Sequence, residues 1–134
     1  MKELTTLKAL YLEKRPLPIH LILHNTFICN AKCGHCFNWD NLNKHKPEEE
    51  LSLEEFEKIS KSFDKKLRFL NLSGGEPFLR KDISEMCHHF VKNNPGLVSI
   101  SIPTNGLLPK KIREETEKIC DKCKTSISIN LSLD

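Results

Sequence analysis

Three cysteines, Cys29, Cys33 and Cys36, stand in a CxxxCxxC spacing within eight residues, with no fourth cysteine nearby. Thiolates are soft ligands that suit zinc and iron-sulfur clusters. A structural zinc site closes its shell with four protein ligands, whereas a centre that acts on a bound molecule keeps a position open. Three thiolates can hold a metal centre on three sides and leave the fourth for a reactant. Two blander readings stand beside this one: zinc, with His24, His35 or His45 as fourth ligand, or three unrelated thiols.

Other short segments carry polar chemistry. Gly74-Gly75-Glu76-Pro77 pairs two glycines, which let the main chain approach a ligand closely, with a carboxylate that can accept from an ammonium group. Thr104-Asn105-Gly106 follows Pro103, and Ser132-Leu133-Asp134 closes the chain. Each could also be an ordinary turn or strand end. Phe37 and Trp39 could shield a metal centre or simply pack. Cys120 and Cys123 read with Ile112, Thr116 and Ile119 as a buried helical stripe, and Cys87 reads as core beside Ile83 and Met86. His88 and His89 read as helix surface, and Lys44 to Glu50 as a solvated loop.

The elements that must position these residues alternate. Strands are expected at 18–27, 67–73, 97–103 and 125–133, and helices at 52–63, 82–94 and 109–122. Ser52 with Glu55, and Asp82 with Glu85, have capping-box spacing, and Pro109 suits a first helical turn. Leu4, Leu7, Leu10 and Tyr11 predict a further helix over 1–16. Strand-helix-strand repetition implies parallel strands with right-handed crossovers. The strands alternate rather than running apolar throughout: Ile127, Ile129, Leu131 and Leu133 face one way, and Ser126, Ser128, Asn130 and Ser132 the other. One face is expected under helices, and the other lines a polar concavity. Every unusual segment follows a strand, the end at which βα barrels and open α/β sheets bind ligands. The fold class is therefore α/β, an incomplete βα barrel of about four parallel strands and three crossover helices, preceded by the N-terminal helix.

The 134 residues carry a formal charge of +3, with lysines and glutamates interspersed as on solvated helix faces, which argues against a nucleic-acid partner. The N-terminus has neither the apolar stretch nor the cleavage site of a secretory signal, and the longest apolar run, at 19–23, is too short to span a bilayer. A reducing cytoplasm with metal-bound thiolates is expected, without disulfides and without a membrane partner.

CxxxCxxC after the first strand, GGEP after the second, TNG after the third and SLD at the fourth together resemble the radical S-adenosylmethionine (SAM) enzymes. The nearest branch includes cyclic-pyranopterin synthases, sulfatase-maturing enzymes and peptide-modifying enzymes with auxiliary-cluster (SPASM-type) domains. The resemblance implies that Cys29, Cys33 and Cys36 bind three irons of a 4Fe-4S cluster, and that SAM chelates the fourth. An electron donor reduces the cluster, SAM is cleaved, and a 5′-deoxyadenosyl radical abstracts hydrogen from a peptide, protein or small molecule. His35 falls where an aromatic residue contacts adenine. Gly74, Gly75 and Glu76 match the segment receiving the methionyl amino group, Ser132 matches a SAM contact, and Thr104, Asn105 and Asp134 line the same pocket. Asn71 replaces a substrate-binding arginine of the pyranopterin synthases, which argues against GTP.

Residues 1–16 are expected to form a helical extension from their apolar spacing, and the resemblance, which covers the chain after about residue 17, implies that 17–134 is the N-terminal part of the core domain. A six-unit barrel needs on the order of 190 residues, scaled from about 250 for eight units. The chain is therefore expected to be part of a longer enzyme, inactive alone. A zinc-stabilised interaction module and a cluster-binding remnant that does not cleave SAM are the alternatives.

Overall fold

The computed structural model describes residues 18–133. The helix expected over 1–16 and Asp134 lie outside the described residues. Four strands, β1 (His20–Thr26), β2 (Phe69–Gly74), β3 (Ser99–Thr104) and β4 (Ser126–Leu131), form one parallel sheet in sequential order. Three helices, α1 (Leu53–Lys61), α2 (Ile83–Asn93) and α3 (Pro109–Lys122), make the crossovers. This is the α/β arrangement expected, with element ends moved by two residues at most and α3 at its expected bounds.

Register turns the alternation into two faces. Leu21 pairs with Leu70, Leu70 with Ile100 and Ile100 with Ile127, so one apolar row crosses all four strands. The next row, Ile22, Asn71, Ser101 and Ser128, points the opposite way. Leu70, Leu72, Ile100 and Ile102 are sealed in a core with Phe56, Met86, Phe90 and Ile119 of the helices. Each such side chain is worth about 1.5–3 kcal/mol in removed apolar surface. The opposite face is polar apart from Ile22, Phe69 and Pro103, and there Asn130 donates to the Ser101 hydroxyl at 2.6 Å. At the far edge Ile127 and Ile129 are half-buried against the core, while Leu131 and Leu133 are exposed.

The start of α1 is as expected: Ser52 Oγ accepts from Glu55 N at 3.3 Å and the Glu55 carboxylate accepts from Ser52 N at 2.8 Å. The box expected at Asp82 and Glu85 does not form. Arg80 takes the Asp82 carboxylate at 2.6 Å, and Glu85 turns to Lys122 and to Ser84. Both acids are thus spent on neighbouring side chains. Pro109 does open α3.

Cys87 is core, and burial pushes its thiol well above the ordinary value. Cys123 is also buried, and burial, then the neighbouring Cys120, pushes it up to about 11. Cys120 itself is exposed, so the expected stripe holds for only one of the pair: α3 ends at Lys122 and turns Cys123 inward as its cap. His88 and His89 are half-buried between helices, near the Lys122 carbonyl (3.3 Å) and Glu57 (3.8 Å) respectively. Among the described residues no helix is long and apolar enough to cross a membrane.

Candidate functional site

Every loop at the C-terminal edge of the sheet that the sequence marked out meets at one cavity of about 220 Å³. Cys29, Cys33 and Cys36 line it with His35, Gly74, Gly75, Glu76, Thr104, Asn105 and Ser132. Of the residues expected there, Asp134 alone falls outside the described residues.

The cysteine loop leaves β1 under strong main-chain control. Glu50 accepts hydrogen bonds from Thr26 Oγ1 and Phe27 N, both at 2.7 Å, and Ile28 N donates to Thr26 Oγ1 at 3.1 Å. Asn43 then brackets the first cysteine. Its Oδ1 accepts from Cys29 N and its Nδ2 donates to Cys29 O, both at 3.0 Å, while its own N–H donates to Phe27 O at 2.9 Å. This geometry uses a left-handed backbone (φ 56°), which asparagine tolerates better than most residues. Turns from Cys33 O to Cys36 N and from Cys36 O to Trp39 N, each 3.2 Å, carry the loop past the other two thiols.

The glycine pair, besides lining the cavity, packs against the cysteine loop. Gly75 N donates to Thr26 O at 2.8 Å and Glu76 N to Ile28 O at 2.9 Å, so the β2 loop continues along the root of the cysteine loop. A Cβ at position 74 or 75 would lie 2.2 Å from Thr26 O or Ile28 O. The close approach that the glycines permit is to protein main chain. Glu76 is likewise turned inward: 1% exposed, it accepts from Thr104 Oγ1 (2.9 Å), Asn105 N (2.8 Å) and Phe78 N (3.3 Å). It fastens the β3 loop to the β2 loop. Asn105 in turn reaches the cysteines, with Nδ2 2.9 Å from Asn30 Oδ1 and 3.9 Å from Cys29 Sγ. Ser132 N donates to Thr104 O at 2.9 Å, which brings β4 to the same rim.

The donor set suits a cluster. Among the described residues no three His, Cys, Asp or Glu side chains converge on a position for a single ion. His24 packs its ring against Phe27 and Phe37 (5.7 and 6.3 Å), and His45 sits against Phe27 and near Glu49. Both histidines line a different cavity, whereas His35, the third candidate for a fourth zinc ligand, lines the same cavity as the three cysteines. Three cysteine thiols lining one cavity are the donor chemistry that iron-sulfur clusters take.

Sequence reasoning missed Asn43, Glu50 and Arg80. The segment from Lys44 to Glu50 is not wholly a solvated loop: it contains a 3-10 turn at Pro47–Glu49, and Glu50 folds back onto β1. Arg80 donates to Asn25 O (3.1 Å) and Leu51 O (2.8 Å), with its guanidinium 4.6 Å above the Phe56 ring. Its only sequence signal was an arginine close to an acid. Phe37 and Trp39 are exposed, at 82% and 56%.

Comparison with known proteins bears on the same residues. Residues 25–134 match the Radical SAM superfamily. Over 103 residues the chain is 36% identical to the probable GTP 3′,8-cyclase of Archaeoglobus fulgidus, covering 76% of this chain and 32% of that protein. It is 32% identical over 110 residues to the GTP 3′,8-cyclase of Alkaliphilus metalliredigens, covering 81% and 32%. The antilisterial bacteriocin subtilosin biosynthesis protein AlbA of Bacillus subtilis is 29% identical over 122 residues, covering 89% and 25%. The chain spans about a third or less of the length of these curated relatives. The family match begins inside β1 and takes in the cysteine loop and the three later strand-end loops that share its cavity, and by it the chain belongs to the radical SAM superfamily, whose members bind a 4Fe-4S cluster and S-adenosylmethionine.

Proposed function

We propose that this chain is the cofactor-binding core of a radical SAM enzyme, with Cys29, Cys33 and Cys36 as the cluster ligands. The observation that carries the reading is the meeting of three thiols with the loops after β2, β3 and β4 at one cavity. The bound cofactors would supply reductive cleavage of SAM to a 5′-deoxyadenosyl radical. The chain's own work is to hold and orient. Asn43 and Glu50 fix the cysteine loop, and Asn105 offers a side-chain N–H toward Cys29 Sγ. His35, exposed at the cavity, would take the adenine ring and Ser132 would contact the remainder of SAM, with Asp134 a further contact on the ground of the sequence resemblance alone. Glu76 has three of its roughly four acceptor positions taken by protein donors, leaving one for the methionyl ammonium beside Gly74 and Gly75.

For the substrate we propose a peptide, protein or small molecule rather than a nucleoside triphosphate. Asn71 sits on the open face of the sheet, and no Lys or Arg points from that face among the described strand residues. A triphosphate calls for cations there.

Anaerobic reconstitution with iron and sulfide tests the reading. A brown protein with iron and sulfide in 4:4 proportion to the chain, lost in Cys33→Ser, is the expected result. A colourless protein retaining one zinc overturns it. A loaded protein that forms no 5′-deoxyadenosine after reduction in the presence of SAM would instead be the cluster-binding remnant.

A further inference from the structure

Ala31 and Leu42, which line the cofactor cavity, also line a second depression of about 190 Å³, completed by Lys32, Trp39, Asn43 and Lys44. The cysteine loop therefore serves two surfaces. Lys32 and Lys44 are exposed and make no ion pair among the described residues, and Trp39 is 56% exposed. Asp40 is the only carboxylate between Cys29 and Lys46, and it does not line the depression.

The place of this patch gives it a use. Its wall includes Asn43, hydrogen-bonded to both polar groups of the Cys29 main chain, and Ala31, whose N–H lies 3.5 Å from Cys29 Sγ. Ala31 and Asn43 thus stand between this depression and a cluster ligand, with Ala31 and Leu42 shared with the cofactor cavity. An exposed tryptophan between two unpaired lysines has the make-up of a transient docking site: an aromatic anchor for contact area, with cations to steer an acidic partner.

We propose that this depression docks an acidic, low-potential one-electron carrier protein that reduces the cluster. The inference rests on the function proposed above. In the step itself the carrier is oxidised by one electron and the cluster reduced by the same electron, with no bond made or broken.

The test measures association of reduced flavodoxin, used as the acidic probe, with the loaded protein without SAM. Wild-type affinity should fall as salt rises. Lys32→Glu with Lys44→Glu should weaken binding at low ionic strength about tenfold or more and remove most of that salt dependence. Trp39→Ala should weaken binding at every salt concentration. Iron content, and reduction by a photoreduced deazaflavin, should stay at wild-type values. Lys44→Glu alone, not adjacent to a cysteine, carries the charge test if the double variant loses iron. No measurable flavodoxin binding, a salt-independent affinity, or unchanged affinity in the charge-reversed protein overturns the docking site while leaving the cluster reading intact. Failure of the wild-type protein to assemble a cluster overturns both.

Discussion

Asn43 shows how much of the site depends on a residue with no obvious chemistry. Its side chain copies a peptide group, accepting from and donating to Cys29, and its left-handed backbone aims it there. Asn43→Ala loses both bonds and adds the left-handed penalty of about 1–2 kcal/mol, whereas Asn43→Gly loses the bonds and keeps the backbone. Asn43→Asp retains the acceptor for Cys29 N. Iron retained after reconstitution and desalting should therefore rank wild type, then Asp, then Gly, then Ala. Equal retention in all four would mean that the bracket is irrelevant to cluster binding. Glu76 makes the parallel case in the interior. In Glu76→Ala, Thr104 Oγ1 and Asn105 N lose their acceptor, at about 1–3 kcal/mol per orphaned group. Urea denaturation should give a clearly lower midpoint for Glu76→Ala than for Glu76→Gln, which keeps the size and one acceptor oxygen. Neither role was legible in the sequence. Cys29 announces itself by spacing, but an asparagine fourteen residues later becomes a partner only once an irregular loop has closed.

Among the elements, close main-chain approach between the β2 loop and the root of the cysteine loop dominates. A methyl group at Gly75 would meet the Ile28 carbonyl at 2.2 Å, and neither backbone can yield without breaking the Gly75–Thr26 and Glu76–Ile28 hydrogen bonds. Gly75→Ala should therefore cost about 1–3 kcal/mol and lower iron retention together, read by denaturant midpoint and iron assay. Elsewhere the helices are fastened by charge, and α2 joins α3 through Glu85 and Lys122. The Lys122 hydrogen bond, then that from Ser84, holds the Glu85 carboxyl at about 2, below its usual 4.5. A depressed acid contributes stability that is present above 4.5 and is lost as pH falls through about 2. The side chain is 45% exposed, so solvent screening keeps the contribution small. The stability gap between wild type and Glu85→Gln should be open at pH 6 and closed at pH 2, as followed by urea midpoints. Element existence and order were readable because periods of two and 3.6 persist through each segment. The Asp82 cap was misread because spacing cannot reveal that Arg80 competes for the same carboxylate.

Across the whole molecule, the six cysteines divide by environment rather than by sequence spacing. The two CxxC pairs look alike on paper, yet Cys33 and Cys36 line a cavity, while Cys123 is sealed in the core and Cys120 stands outside. That asymmetry was illegible because it depends on where α3 stops. The sheet's polar face and the convergence of the strand-end loops were legible, since alternation and chain order dictate both. Thiol reactivity follows thiolate fraction and access. Iodoacetamide at mildly alkaline pH should therefore label Cys29, Cys33, Cys36 and Cys120 of the iron-free protein. It should spare Cys87, buried with its thiol pushed well up, and Cys123, pushed up to about 11, until denaturant is added. Loading the cluster should withdraw three of the four reactive positions and leave Cys120 alone. Peptide mass mapping reads this residue by residue. Labelling of Cys36 undiminished after loading would remove it from the ligand set, and with it the three-sided centre; protection of Cys120 together with the other three would point to a second metal-binding arrangement at the end of α3.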